Sequence, residues 1–265
     1  MPDPATPRTH VRVTLSANTI FRILAVAALA LGLIGFGANV ANSRDGSDLV
    51  WPFARQFDFG EEGNFVNWYQ SVTLFACALL LVIIALAKRR AGAPRVLHWV
   101  VLAAVVAFVA IDEAAQIHDR TVNAFIAALT STAADKAAAP RDSGIFGSTW
   151  MFVYLPVGLV LTLVYLRFFF ALPRKTRWGL AISAALYLGG AVVVEAIYER
   201  VSAADGGETA ISFALDACSE TFEMLGVAVF AGTLVAYLAR EVGGMSVQFS
   251  EGKFGDRVHE FPGDA

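Results

Sequence analysis

Long apolar runs divide this chain, and charge collects between them rather than within them. Three uncharged runs, 24–43, 63–87 and 143–166, are long enough to cross a bilayer, which takes about 20 helical residues at about 1.5 Å rise each. Three shorter runs, 96–111, 178–194 and 224–239, cover only about 24–26 Å of a hydrocarbon core about 30 Å thick. Each short run meets carboxylates at one end only: Asp112 and Glu113, Glu195, and Glu223. To span, each of these helices must draw its acids into the membrane boundary or just beneath it.

The pattern predicts an all-α integral membrane bundle of six transmembrane helices, with spans near 20–41, 63–87, 96–118, 146–170, 178–199 and 215–239. Residues 1–241 make the transmembrane domain, and the polar, glycine-bearing stretch 242–265 is expected to be a flexible cytoplasmic tail. The first run is longer than the apolar core of a signal peptide and lacks a small-x-small cleavage site near 39–41, so it reads as a retained helix. Of the 20 Lys and Arg residues, fourteen fall on one side of this topology, many of them in the short loops 88–95 and 173–177. That excess predicts cytoplasmic N- and C-termini. In a bacterial inner membrane, the acid-bearing ends would then face the periplasm.

Composition narrows the classes further. The chain has 265 residues, 57% hydrophobic and 16% charged, with a mean hydropathy of +0.59. Soluble domains carry about 25% charge, so a water-facing fold is excluded. A net charge of −3 gives no basic footprint for a nucleic acid, which leaves membrane lipid as the expected partner. Cys77 lies inside an apolar run and Cys218 far from it, a spacing that suits neither a metal nor a redox pair.

Helical periodicity then sorts the acids. On the third span Asp112, Gln116 and Asp119 stand at i, i+4 and i+7, within about 60° of one another, with Glu113 on the flank. The sixth repeats that spacing with Asp216, Glu220 and Glu223, and the fifth carries Glu195 and Glu199 beside Tyr198. The second enters from the same side with Asp58, Glu61, Glu62, Asn64 and Asn67. Carboxylates near the bilayer centre cost at least about 2.5 kcal/mol each, so acids gathered at one depth need a positive partner or shared protons.

Four arrangements supply this. A divalent cation suits oxygen ligands (Ca, Mg or Mn), and His118 would tilt the preference toward Zn or Fe, although an ideal helix points it about 120° from Asp112. Arg120 and Arg200 offer ion pairs, proton sharing needs no ligand, and acids at helix ends can simply meet headgroup water. Asp216, at the expected start of its helix, also suits the helix dipole. Trp68, Tyr69, Trp150 and Tyr154 fit an interfacial aromatic belt, and Gly189 and Gly190 suit close helix packing.

The stretch Asp58-Phe-Gly-Glu-Glu-Gly-Asn-Phe-Val-Asn-Trp-Tyr69 resembles the alkaline ceramidases and related membrane metal-dependent hydrolases, where an Asp-Trp-Cys-Glu-x-Asn-Tyr segment enters a helix and binds calcium. The resemblance implies Asp58, Glu61 or Glu62, and Asn64 as cation ligands, with Asp112-Glu113 similar to the pair ending that family's next helix. It covers about a dozen residues, with one residue more between Asp58 and Asn64. The family's late histidine pair is absent here, since the histidines are His10, His98, His118 and His259, which excludes a three-histidine zinc site. The pattern Asp-Glu-x-x-Gln-x-His-Asp is also similar to one in bacterial multi-pass membrane proteins.

Three functions are therefore expected in order. The first is a membrane enzyme holding a divalent metal through Asp58, Glu61, Glu62, Asn64, Asp112, Glu113, His118, Glu195, Glu199, Glu220 and Glu223 in some combination, hydrolysing a lipid-borne amide or ester. Glu113, Glu195 or Glu220 would serve as general base. The second is a cation- or proton-coupled transporter, which normally carries broken helices and a site near the midplane. The third is a non-catalytic scaffold or sensor subunit.

Overall fold

The computed structural model describes residues 16–45, 51–59, 63–117, 151–205 and 209–242. These form α1 (Ala17–Asp45), α2 (Trp51–Ala54), α3 (Phe65–Arg90), α4 (Val96–Ala115), α5 (Met151–Phe170), α6 (Arg174–Leu188), a π-helical segment (Gly189–Val194), α7 (Glu195–Asp205) and α8 (Ala210–Glu241). Among the described residues there is no strand. Six helices are long and apolar enough to cross a membrane, the fifth being α6, the π segment and α7 in continuous succession. The all-α, multi-pass membrane architecture expected from the pattern is the one observed.

Local chemistry sets the helix ends. Asn64 starts α3 by accepting the N–H groups of Val66 and Asn67 at 2.9 and 3.0 Å. Lys88, Arg89 and Arg90 close the same helix, where cations favour the dipole. The turn into α4 needs two left-handed residues, Gly92 (φ 63°) and Arg95 (φ 67°). At the other end α4 stops at Ala115, because Gln116 adopts φ 51° and its N–H returns to the Asp112 carbonyl. Gln116 thereby leaves the helical face it was expected to share with Asp112, and residue 118, the expected end of the span, lies outside the described residues. Conversely, α8 begins at Ala210 rather than near 215, started by a Thr209–Ser212 capping box. Asp216 consequently lies in the second turn of the helix and not at its start.

The last helix organises the bundle. α8 packs against α1, α3, α6, the π segment and α7, while α4 packs on α3. A β-carbon on Gly32 of α1 would meet Thr221 of α8; eleven residues away on each helix Phe21 meets Gly232, so the two run antiparallel in strict register. On the opposite flank Gly179 abuts Thr233, and Gly226 abuts Ser183 and Tyr187 of α6. Small residues thus let backbones approach where lipid gives helices no hydrophobic reason to associate. The core, with Cys77, Leu81 and Ile84 of α3, Trp99 of α4 and Leu234 of α8, fills the half of the bundle that ends in the basic residues.

α5 is attached differently. Tyr165 donates to the His98 carbonyl at 2.9 Å and Phe168 packs edge-on against Trp99, both toward the basic end. Most of its remaining length faces outward through Val157, Leu159, Val160, Leu163 and Val164.

Candidate functional site

The basic residues mark one end of the bundle, and the helix rise gives the depth of the acids from there. Asp112 stands sixteen residues from Val96, Gln70 eighteen from Lys88, and Glu223 seventeen from Arg240. These separations correspond to roughly 24–27 Å, within the far quarter of a core about 30 Å thick. Two spans deliver an acid and a third an amide to this common depth.

The structure brings most of the acids together. Glu220 is acted on by the charges of Glu223, Glu113, Asp216 and Glu195, and Glu223 by Glu113, Glu195 and Asp216. The phenol of Tyr187, on α6, is within the influence of the charges of Glu223, Glu113, Glu220 and Asp112. Asp112 is only 6% exposed, and the Tyr154 hydroxyl hydrogen-bonds to it. Tyr154 therefore belongs to the cluster and not to an aromatic belt. Tyr69 also turns inward, its hydroxyl donating to the Leu24 carbonyl at 2.7 Å, whereas Trp68 is exposed as a belt residue would be.

Amides of α3 tie the acids to the second span. Asn67 donates Nδ2 to Glu113 Oε1 at 3.3 Å, and Gln70, 1% exposed, donates Nε2 to Glu223 Oε2 at 3.0 Å. A carboxylate oxygen accepts in both bonds, so each amide turns its nitrogen toward the acid. Its oxygen is left over. Asn67 Oδ1, Gln70 Oε1 and Glu220 Oε2 are all buried without a hydrogen-bond partner. An unmet buried acceptor costs about 1–3 kcal/mol, so three around one cluster of acids are conspicuous.

The π segment sets the fifth span's contribution. The Gly190 carbonyl accepts the Glu195 N–H within the wider turn and also accepts Ser219 Oγ of α8 at 3.0 Å. A β-carbon at Gly190 would meet the Ser219 carbonyl and Glu223 Cγ, so only glycine lets α8 come this close. Gly189, expected to share that role, faces nothing within 4 Å. Immediately after the segment, α7 opens with Glu195 in its first turn, and Glu199 follows one turn later, half-buried.

Other candidates fall elsewhere. Asn64 commits its side-chain oxygen to capping α3 and its Nδ2 to the Asp58 carbonyl. Asp58 sits half-buried on the loop whose Phe57 and Phe59 close over Gly35 of α1. Glu61, Glu62, His118, Asp119 and Arg120 lie outside the described residues, and Arg200 is exposed. Among the described residues, no three of His, Cys, Asp and Glu stand close enough to hold a metal ion together. The sequence had not singled out Gln70, Tyr187 or Ser219. The available signal was Gln70 at i+3 from Asn67, two amides on one face of an otherwise apolar run.

Residues 21–237 match a family described as a domain of unknown function, DUF8692. The chain belongs to the DUF8692 family. Every clustered acid and both α3 amides fall inside the matched region, so the site lies within the DUF8692 domain. No curated protein and no solved structure matches the chain.

Proposed function

We propose that this DUF8692 protein binds a divalent cation at the acid end of its bundle and uses it to hydrolyse a lipid-borne amide or ester. One observation carries the reading: acids from three spans converge just below a membrane boundary, with buried acceptor oxygens left without donors. A cation offsets the charge and satisfies the oxygens at once, while that depth is within reach of a lipid's headgroup linkage. The resemblance of 58–69 to the alkaline ceramidases supports the same class of bond. In this reading the basic end faces the cytoplasm and the acid end the periplasm.

The chemistry is a simple exchange. A carboxylate among Glu113, Glu195 and Glu220 accepts a proton from water, whose oxygen bonds to the carbonyl carbon. The C–N or C–O bond then breaks, and the proton passes to the departing amine or alcohol. Purified protein assayed on lipid amides and esters should show turnover that a chelator abolishes and added metal restores. Replacing the base by Gln should lower kcat about a hundredfold or more. Turnover indifferent to chelation and to all three Glu→Gln variants would overturn the hydrolase reading.

One feature favours a cation-coupled carrier instead: the α-helical winding of the fifth span breaks at Gly189–Val194, next to the acids. Proteoliposomes distinguish the two, because a carrier moves the cation across the bilayer without consuming lipid.

A further inference from the structure

A cation at the acid end needs ligands, and those present are not the ones the acid pattern suggests. Among the described residues no three carboxylates gather tightly enough to share a metal, so inner coordination there must draw on other oxygens. The unpartnered atoms identify them. Asn67 and Gln70 stand at i and i+3 on α3, one turn apart on one face. Their amide nitrogens are anchored on different helices, Asn67 on Glu113 of α4 and Gln70 on Glu223 of α8. Glu220, one turn before Glu223 on α8, lies within the influence of both Glu113 and Glu223. Anchoring fixes both side chains and leaves Asn67 Oδ1 and Gln70 Oε1 buried without a hydrogen-bond partner, as is Glu220 Oε2. A water molecule would meet two such acceptors but offset none of the charge.

We infer that Asn67 Oδ1, Gln70 Oε1 and Glu220 Oε2 form an oxygen-only site for a hard cation, with Glu113 and Glu223 holding the two amides in position. Neutral amide oxygens and a carboxylate match the ligand preference of calcium, magnesium or manganese and disfavour zinc. This assignment rests on the cation reading proposed above and replaces its acid-only ligand set with a mixed one.

The test is titration of the full-length protein in detergent with Ca²⁺, Mg²⁺, Mn²⁺ and Zn²⁺ separately, for wild type, Asn67→Leu, Gln70→Leu and Gln70→Glu. Wild type should bind one hard cation more tightly than Zn²⁺. Each Leu variant should lose affinity about tenfold or more, as expected from removing one strong oxygen contact. Gln70→Glu keeps an oxygen at the position but removes the donor to Glu223, so retained affinity separates ligation from mere support of Glu223. Hard-cation binding that is unchanged in both Leu variants, or lost in Gln70→Glu as fully as in Gln70→Leu, would overturn the assignment while leaving the cation reading intact. Absence of binding in wild type would overturn both. Should Gln70→Leu fail to fold, Asn67→Leu and Gln70→Glu still decide the matter.

Discussion

Single residues in this protein do unlike work from chemically similar neighbours. Asn64 and Asn67 are three positions apart, yet one caps a helix and the other reaches across to Glu113. Tyr154 bridges α5 to Asp112. Tyr154→Phe should therefore cost about 1 kcal/mol, read as a lower melting temperature in detergent, whereas Trp68→Phe on the exposed face should change little. Arg95 gives a separate check, since it is exposed and held at φ 67° at the start of α4. Arg95→Gly should stabilise by about 1 kcal/mol and Arg95→Val should destabilise, because a β-branched side chain fits that conformation worst. The carboxylates at the ends of short apolar runs were legible in the sequence, because burying a charge is costly enough to leave a pattern. Gln70 was harder to read: an amide in a mostly apolar helix takes its meaning from its partner 153 residues away.

Among the elements, α8 and the π segment position the site. The capping box starts α8 early enough to give Asp216, Glu220 and Glu223 successive turns of one unbroken helix. The extra backbone of Gly189–Val194 then sets the rotation of everything after it, including Glu195. An i→i+5 turn places Glu195 where an α-helix would place the residue before it, so deleting Val192 would restore α-helical winding with Glu195 still on its present face. Such a variant should keep its helix content by circular dichroism and retain the function of the cluster. Loss of function in the deletion would show that the π turn itself, and not only the register it gives, serves the site. Gly190→Val should be far worse for folding, since its side chain would be driven into the Ser219 backbone and Glu223. Apolar run length was enough to expect six spans, but not this winding. A π turn is not visible in apolar periodicity, and Ser219, whose hydroxyl donates to the Gly190 carbonyl, lies 29 residues away. The end of α4 escaped for a similar reason, because Gln116 takes a left-handed conformation that helical periodicity does not anticipate.

At the scale of the whole molecule, the bundle is polarised. Its packed aromatic and aliphatic core lies toward the end that carries Lys88, Arg89, Arg90, Arg174, Lys175, Arg177 and Arg240, and its polar cluster lies toward the other. The basic bias predicts that reporters fused after residue 242 or inserted at residue 92 act in the cytoplasm. A reporter at residue 207 should act only outside; the opposite result would invert the bundle and put the acids at the cytoplasmic face. Either way, acids drawn from three spans to one depth are the feature of this chain on which the proposed cation binding rests. Calorimetric titration of detergent-purified protein with calcium, magnesium and manganese, compared with a Glu220→Gln/Glu223→Gln variant of equal or higher melting temperature, tests that claim most directly. The wild type should bind one cation per chain and the variant none. No binding in the wild type, or the same binding in both, would contradict it.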